Sequence, residues 1–386
     1  MLEISKGPYS LIPSEHKWKI LKDPSQAYLY KKNRKINLLN GEESDFEVRE
    51  LFKVLDLEKK SNKRILHLSY EAGFLNNDSE HLIEENDWLA LDLHYEKSEF
   101  LAPLQKSNID LLSAKVPSIE EYKKAYELGY DRLERGDSYQ FNLTFPFVYS
   151  YSGDFNDIAA CLFRKKESLG AYAHGTYIPS MKWGILSNSP ECLFNKNKNF
   201  IETKPIKGTI RDEEGAWKKL SQNEKDEAEL FMITDLLKND LNRLEPRAKV
   251  KMLKAPLKVP GLLHQFSHLT LESTRDLSLE EVSGSLFPGG SITGAPKKRT
   301  MEILREIESS SRGAYCGSTF FFDDEQIKVS INIRTAEVDD LKKELTLGAG
   351  GGITLLSKAD EEYKEMFSKV DSFALLLQPP YPSKIL

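Results

Sequence analysis

Short strand-like segments separated by turns fill most of this sequence, and helical patterns are few and stand apart from one another. Alternating apolar residues indicate strands at residues 65–70, 88–94, 139–147, 171–177, 183–187, 192–195, 314–322 and 327–338. Strands that follow one another without helices between them favour antiparallel pairing, whereas a βαβ protein alternates the two element types. The sequence therefore predicts an α+β fold.

Three helices have clear start signals. The first begins at Ser118, where Glu121 completes a capping box, and the second covers residues 223–244 with its apolar residues on one stripe. Ser357 and Asp360 are predicted to cap the last helix, which also carries an apolar stripe. Each of these helices is therefore expected to pack one face against the core.

The charge and the cysteines exclude several classes of protein. The 386 residues carry a net charge of -6 that is spread along the chain, whereas nucleic-acid binding requires a basic face. Three widely spaced cysteines, Cys161, Cys192 and Cys316, disfavour a disulfide framework and a thiolate metal site. With no apolar leader and no 18-residue apolar run, we expect a cytoplasmic protein that binds neither membrane nor nucleic acid.

Two glycine-rich stretches are candidates for ligand contact. The first, FPGGSITGAPKK at residues 287–298, precedes a helix start, where free backbone N–H groups can bind an anion. Ala295 stands where a P-loop requires lysine, which disfavours a nucleoside triphosphate, and a tight structural turn is an equal alternative. The second stretch, residues 348–352, allows a ligand to approach the backbone closely.

Carboxylates on two of the predicted helices suggest a metal site. Glu362 and Glu365 lie three residues apart and share a face of the last helix, and Glu229 lies early on the second helix. Carboxylates from two helices, together with retained waters, commonly hold Mg²⁺. Spacing alone nevertheless favours ordinary solvated helix faces.

One lysine stands in an unusual local setting. Lys207 lies in the segment PIKGT at residues 205–209, between a proline and a glycine and beside apolar residues. A lysine held in such a turn is a candidate for nucleophilic amine chemistry, which requires the uncharged amine. An ordinary surface lysine is the alternative, and the segment taken alone favours it.

Together these segments resemble the chorismate-utilising enzyme family over residues 118–372. Ten ordered motifs carry the resemblance: GDSYQFNLT at 136–144, SPE at 189–191, PIKGT at 205–209, AELFMITD at 228–235, KNDLNR at 238–243, FPGGSITGAPK at 287–297, YCG at 315–317, IRTA at 333–336, GAGGGI at 348–353 and EYKE at 362–365. The implied fold, like that of anthranilate synthase component I, has two large antiparallel sheets packed at a steep angle with helices outside. Residues 115–386 would form the catalytic domain and residues 1–110 a shortened β-rich portion.

The resemblance also implies roles for individual residues. The implied catalytic groups are Lys207, Glu191 and His268, with Glu191 as the general acid or base. Substrate contacts are implied for Thr209, Thr293, Tyr315, Arg334, Gly350, Gly351, Gly352 and Lys369, and Mg²⁺ ligands for Glu229, Glu362 and Glu365.

Two positions choose among the activities of the family. Members that add water to chorismate carry lysine where this chain has Gln140, and glutamine cannot act as that base. Members that make anthranilate carry alanine at the position of Lys207. In the branch that aminates C4, this lysine attacks C2 as the 4-hydroxyl leaves, and ammonia then expels it. The resemblance thus implies Mg²⁺-dependent synthesis of 4-amino-4-deoxychorismate, a step toward para-aminobenzoate and folate.

Ammonia is expected from a separate glutamine amidotransferase subunit, because this sequence contains no recognisable glutaminase segment. An anthranilate synthase component I with Lys207 as a bystander is one alternative. A non-enzymatic protein that binds chorismate or an amino acid is another, although such a protein would need neither an acid nor a nucleophile.

Overall fold

The computed structural model describes residues 5–14, 17–56, 63–102, 109–164, 168–259, 262–323 and 326–377. Within these ranges the chain forms two large antiparallel sheets with α-helices outside, which confirms the predicted fold class. The helices are α1 Ile119–Glu134, α2 Phe155–Leu162, α3 Ala216–Ser221, α4 Glu224–Leu244, α5 Leu279–Leu286, α6 Lys297–Ile307 and α7 Ala359–Leu377.

The strands are, in chain order, β1 Tyr9–Pro13, β2 Trp18–Lys22, β3 Gln26–Lys31, β4 Arg34–Asn37, β5 Glu43–Asp45, β6 Lys63–Leu68, β7 Trp88–Tyr95, β8 Ser98–Leu101, β9 Leu111–Lys115, β10 Gln140–Tyr151, β11 Tyr172–Ile178, β12 Trp183–Ser189, β13 Cys192–Asn197, β14 Phe200–Thr203, β15 Ile206–Arg211, β16 Lys249–Val259, β17 Leu262–Glu272, β18 Gly294–Ala295, β19 Ser318–Asp323, β20 Gln326–Ile331, β21 Thr335–Asp339 and β22 Glu344–Ile353. The first sheet has the order β18-β10-β22-β21-β12-β11-β1-β2-β8, with β9 also against β10. The second has the order β15-β17-β14-β13-β20-β19-β6-β7-β3-β4-β5, with β16 also against β17.

Residue alternation along β10 explains how the first sheet is held to its helices. Phe141, Leu143 and Phe147 are buried in one core cluster with apolar residues of α1 and α7. The ring of Phe147 lies 5.1 Å from that of Phe367 on α7, at a near-perpendicular angle that aromatic pairs favour. The residues between them, such as Thr144, point to the opposite face, toward the second sheet.

The apolar stripe predicted for residues 223–244 is confirmed in α4. Leu230, Ile233, Leu237 and Leu241 are all buried, and most of them join a core cluster with the strands of the second sheet. This packing places α4 against β15, the strand that carries Lys207 and Thr209.

The β-rich residues 1–110 are woven into both sheets. Strand β1 pairs with β11 of the first sheet, and β6 pairs with β19 of the second. The predicted boundary between residues 1–110 and 115–386 therefore divides the sequence but does not divide the fold. Residues 103–108 and 378–386, which belong to that prediction, lie outside the described ranges.

The two capping predictions have different outcomes. Ser118 and Glu121 form the predicted capping box at the start of α1. The prediction for Ser357 is wrong, because α7 begins at Ala359 and the Ser357 hydroxyl instead donates a hydrogen bond of 2.9 Å to the Glu362 carboxylate. A residue expected to cap a helix is thus tied to a predicted metal ligand.

The strand predicted over residues 327–338 is in fact two strands in different sheets. Strand β20 lies in the second sheet and β21 in the first, so the chain changes sheets between Ile331 and Thr335. The neighbouring strands β12 and β13 make the opposite change between Ser189 and Cys192. These two crossovers bring polypeptide to the gap between the sheets.

All three cysteines are buried and none forms a disulfide, as the sequence predicts. Among the residues that the structure describes, no helix is both long and apolar enough to cross a membrane.

Candidate active site

Two of the predicted site residues lie on the crossovers between the sheets. Glu191 follows Ser189-Pro190 on one crossover, and Arg334 lies on the other. The crossovers are joined through the backbone, because the Ile331 N–H donates to the Glu191 carbonyl and the Asn188 N–H donates to the Arg334 carbonyl, each at 3.0 Å. An acidic and a basic side chain are therefore held at fixed positions in the same gap.

The Glu191 carboxyl group is buried beside the glycine-rich stretch that precedes α6. It accepts a hydrogen bond of 3.0 Å from the Ser291 hydroxyl. Burial raises the pKa of Glu191, against the opposing effects of the Lys207 positive charge and of the Ser291 hydrogen bond. A carboxyl group with a raised pKa can carry a proton near neutral pH, as a general acid must.

Lys207 lies on β15, which among the described strands pairs only with β17. A bulge after Lys207 interrupts this pairing, and Gly208 adopts a φ of +71° there, a left-handed conformation that glycine takes without strain. The Lys207 ammonium is 3.7 Å from the Glu229 carboxylate on α4. Lys207 thus pairs with Glu229, and its positive charge also acts on the Glu191 carboxyl group.

Beyond the bulge, Thr209 meets a histidine that the sequence analysis missed. The Thr209 hydroxyl lies 2.8 Å from Nδ1 of His264 on β17. Burial, and after it the positive charge of Arg334, lowers the pKa of His264, so this imidazole is uncharged at neutral pH. His264, Thr209 and Arg334 form the second half of the site, on the strand face opposite to that of Gln265, the partner of Lys207.

The Arg334 guanidinium has no hydrogen-bond or ion-pair partner among the described residues. It is half-buried, and burial lowers its pKa. Its backbone adopts a φ of +49°, unusual for a side chain of this size, at the point where the chain turns into β21. A desolvated cation without a carboxylate is an anion-binding group, and its planar fork suits a carboxylate ligand.

His268 does not lie with this cluster. Its Nε2 atom is 2.9 Å from the Glu202 carboxylate on β14, and His268 lies four residues farther along β17 than His264. His264 and His268 are four residues apart and therefore share a face of the strand. Only the register, which pairs Thr209 with His264, distinguishes them. The catalytic role inferred for His268 has no support in this geometry, and His264 holds the place expected of it.

The glycine segment of β22 lies where the first sheet opens. On one side, residues 348–353 of β22 pair with β10. On the other side, β21 pairs with β22 only as far as Leu347, so that edge of residues 348–353 faces no described strand. Tyr315 packs on Gly348 so closely that a Cβ atom there would overlap its ring. The Lys369 ammonium donates to the Gly350 carbonyl at 2.8 Å. Backbone groups, Tyr315 and Lys369 therefore meet at one open edge.

Thr293 and Gln140 border the same region. The Thr293 hydroxyl donates to the Gly289 carbonyl at 3.0 Å, so it stabilises its own loop. The buried Gln140 side chain lies against Gly352, and its Oε1 atom has no hydrogen-bond partner in the described ranges. Gln140 thus presents an unsatisfied acceptor beside the open edge of β22.

Each of the three predicted metal ligands is paired with a lysine. Glu229 pairs with Lys207 at 3.7 Å, Glu362 with Lys225 at 3.6 Å and Glu365 with Lys369 at 3.0 Å. In spite of burial, the charges of Lys369, Lys225 and Lys207 lower the pKa of Glu365. The carboxylates therefore share one electrostatic cluster.

A separate cavity of about 230 Å³ lies behind Tyr315. Its polar wall includes Glu71, Asp87 and Glu337, and burial raises the pKa of each of these three carboxyl groups. Their oxygens already accept hydrogen bonds, for example from the Trp88 and Trp183 indoles to Glu337. None of the catalytic or metal-binding residues predicted from the sequence lines this cavity.

A match to a family model identifies the protein family of this chain. A family model described as chorismate binding enzyme matches residues 27–375, most of the chain. The chain belongs to this family of chorismate-binding enzymes. The match begins well before residue 118, where the motifs recognised in the sequence start, so it also takes in the N-terminal strands from β3 onward.

Two of the relatives found by sequence share a name. The chain is 34% identical over 261 residues to aminodeoxychorismate synthase component 1 of Escherichia coli (strain K12), a match that covers 65% of this chain and 56% of that protein. It is 35% identical over 261 residues to the protein of the same name from Salmonella typhimurium (strain LT2), with the same coverage of both chains. The chain thus spans little more than half the length of these relatives.

The fold has a close counterpart among solved structures. Anthranilate synthase component I from Streptococcus pneumoniae TIGR4 superposes with a TM-score of 0.78, over 94% of this chain and 92% of that one. The two sequences are 20% identical. This similarity concerns the arrangement of the two sheets and their helices.

The three carboxylates have the right chemistry to bind a magnesium ion, but they are not arranged around one common position. Three carboxylates on α4 and α7 supply the hard oxygen ligands that Mg²⁺ prefers. Within the described ranges, however, no three carboxylate, histidine or cysteine side chains are already placed to share an ion. Burial opposes the charged form of Lys225, yet Glu362, Glu365 and Glu229 together raise its pKa. The positive charge of the Lys225 ammonium group thus offsets part of the negative charge of these carboxylates.

Proposed function

We propose that this chain aminates chorismate at C4 to give 4-amino-4-deoxychorismate, with Lys207 as a covalent nucleophile. The observation that carries the proposal is the placement of Lys207 between a buried carboxyl group with a raised pKa, Glu191, and the Glu229 carboxylate. A purely binding protein needs no such arrangement of amine and acid. The names of the relatives from Escherichia coli and Salmonella typhimurium support the same activity.

Substrate binding is assigned to the groups around the sheet opening. Chorismate carries two carboxylates, and the unpaired Arg334 guanidinium would bind one of them, with the Tyr315 hydroxyl nearby. Glu229, Glu362 and Glu365 would hold a Mg²⁺ ion, which neutralises the other carboxylate when bound. The backbone of Gly350, Gly351 and Gly352 would border the substrate on the open edge of β22.

The first chemical step belongs to Lys207 and Glu191. The Lys207 amine forms a bond to C2, the two conjugated ring double bonds each shift by one position, and the C4–oxygen bond breaks. Glu191 gives its proton to the departing hydroxyl, which leaves as water, and the carboxylate that remains takes up the proton lost by the amine. The Thr209 hydroxyl, oriented by His264, would lie beside the ring during this step.

Ammonia completes the reaction. It forms a bond to C4, both ring double bonds shift back, and the bond between C2 and the Lys207 nitrogen breaks. The proton released by ammonia returns to the Lys207 amine, which regenerates the starting site. A glutamine amidotransferase partner would supply the ammonia, as the component 1 name of the relatives suggests.

The test is intact-mass analysis of the protein mixed with chorismate and Mg²⁺ in the absence of ammonia. We expect a covalent adduct that peptide mapping places on Lys207, and release of 4-amino-4-deoxychorismate when ammonia is added. Lys207→Ala should abolish the adduct, and Lys207→Arg should not restore it, because a guanidinium stays protonated and cannot attack carbon.

Lys204 provides the matched control. It lies three residues before Lys207 and pairs with Glu202, so Lys204→Ala should leave the adduct unchanged. An unmodified wild-type protein that still makes 4-amino-4-deoxychorismate would contradict the covalent role of Lys207. Anthranilate as the product would instead favour the anthranilate synthase alternative.

A further inference from the structure

One fully buried side chain beside Lys207 has unsatisfied hydrogen-bonding groups. Gln265 on β17 is 0% exposed, and neither its Oε1 nor its Nε2 atom has a hydrogen-bond partner among the described residues. A buried amide without partners destabilises the folded state relative to an apolar side chain of the same shape. Such a group therefore calls for a partner that arrives during function.

The register of β15 and β17 places Gln265 next to Lys207. The two residues are direct cross-strand partners, so their side chains lie on the same face with Cβ atoms about 5 Å apart. On that face, the neighbouring Leu263 packs against α3, and the Ser267 hydroxyl lies 2.8 Å from the Thr234 hydroxyl on α4. Gln265 therefore occupies the space beneath α3 and α4, the space into which the Lys207 side chain extends toward Glu229.

We propose that Gln265 is a positioning residue for Lys207, and this inference rests on the proposed function. In the structure the Lys207 ammonium is held by Glu229 at 3.7 Å. If Glu229 held a Mg²⁺ ion, as the proposed function has it, Lys207 would lose that partner. The Gln265 carboxamide oxygen then accepts a hydrogen bond from the Lys207 amine and fixes the direction of its attack on C2.

A neutral acceptor suits this task better than a carboxylate. An amide oxygen accepts a hydrogen bond from an uncharged amine without adding a negative charge that would favour the ammonium form. A lysine side chain also has four rotatable bonds, and a fixed acceptor removes much of that freedom before reaction. The unsatisfied amide lowers the stability of the folded protein but orients the nucleophile, and functional sites commonly show such a loss of stability.

The test compares Gln265→Met, which keeps the length of the side chain and removes its polar atoms, with Thr203→Val. Thr203 is fully buried and its hydroxyl also lacks a described partner, but it lies on β14, where its cross-strand partner is Leu269. Both variants should raise the midpoint of urea unfolding. Only Gln265→Met should slow formation of the Lys207 adduct, by about tenfold, with the KM for chorismate unchanged.

Several outcomes overturn the inference. Wild-type rates of adduct formation in Gln265→Met would do so, and so would an equal slowing in Thr203→Val, which would indicate a general effect on the core. Gln265→Leu serves if the methionine variant does not fold, with the same expected slowing. Failure of the proposed function is distinguishable, because the wild-type protein itself would then form no adduct.

Discussion

The Lys207 ammonium and the Glu229 carboxylate face each other at 3.7 Å, so the proposed nucleophile and a proposed metal ligand are partners in this structure. The pairs Lys225–Glu362 and Lys369–Glu365 repeat the arrangement on α7. If these carboxylates bind Mg²⁺ as proposed, the ion would displace ammonium groups, and displacement of Lys207 would release it for reaction. Under that proposal, metal binding and release of the nucleophile would be linked.

The first prediction concerns the metal. Glu229→Ala and Glu365→Ala should each lose most of the amination activity while remaining folded, because each removes an oxygen ligand of Mg²⁺. Product formation across a Mg²⁺ titration measures the effect. Glu361→Ala on the same helix is the control, since Glu361 is exposed and, among the described residues, forms an ion pair with Lys358 alone. Full wild-type activity in excess chelator would contradict the assignment of these residues as metal ligands.

A second prediction concerns the pH dependence of stability. Burial, with a smaller effect from Asp87, raises the pKa of Glu71 from 4.5 to about 7, against hydrogen bonds from the Arg312 and Gly313 backbone N–H groups. The folded state therefore holds a proton that the unfolded chain has already lost, and the stability this proton contributes is present below pH 4.5 and lost as pH rises through 7. The loss is roughly 3 kcal/mol for a shift of this size.

Glu71→Gln removes the titrating group and tests this directly. Relative to the variant, the wild-type protein should lose stability between about pH 4.5 and 7, as measured by urea unfolding at several pH values. Parallel pH profiles of the two proteins would show that Glu71 does not titrate in this window.

Much of the fold could be predicted because its signals are local. Alternation along the strand at residues 139–147, the capping box at Ser118 and the apolar stripe of residues 223–244 each depend on neighbours a few positions away, and all three are confirmed. The two-sheet arrangement came from the family resemblance. Local patterns alone could not separate β20 from β21, because both halves of residues 327–338 are apolar strands and only pairing partners distant in sequence assign them to different sheets.

The site was predicted unevenly for the same reason. Lys207, Glu191 and Glu229 lie in motifs, and the structure places them together. The resemblance assigned the catalytic role to His268. Strand register, which a single sequence does not specify, instead places His264 opposite Thr209. Gln265 gave no signal in sequence, because its significance rests on burial and on the register with Lys207.

A third prediction uses the close contact between Tyr315 and Gly348. A methyl group at position 348 would overlap Cβ, Cγ and Cδ1 of Tyr315, and this base of the ring cannot swing aside as the end of a flexible chain would. Gly348→Ala should cost about 1–3 kcal/mol of stability and weaken chorismate binding as Tyr315 moves. Gly284→Ala is the control, because nothing lies closer than 4.0 Å to a Cβ atom there. Unchanged affinity in Gly348→Ala would remove Tyr315 from the binding site.

The last prediction separates the two histidines on β17. His264→Phe breaks the 2.8 Å hydrogen bond to Thr209 and leaves that hydroxyl without its partner, whereas His268→Phe affects only the pair with Glu202 at 2.9 Å. We expect His264→Phe to lower kcat/KM by roughly ten- to a hundredfold, the effect of losing one buried hydrogen bond at the reacting ring. Thr209→Val should cause a similar loss, and the double variant little more than either alone, because both changes remove the same interaction. Steady-state kinetics of these four variants and of the wild-type protein measures the effect. A larger loss in His268→Phe than in His264→Phe would restore His268 to the catalytic role inferred from the sequence.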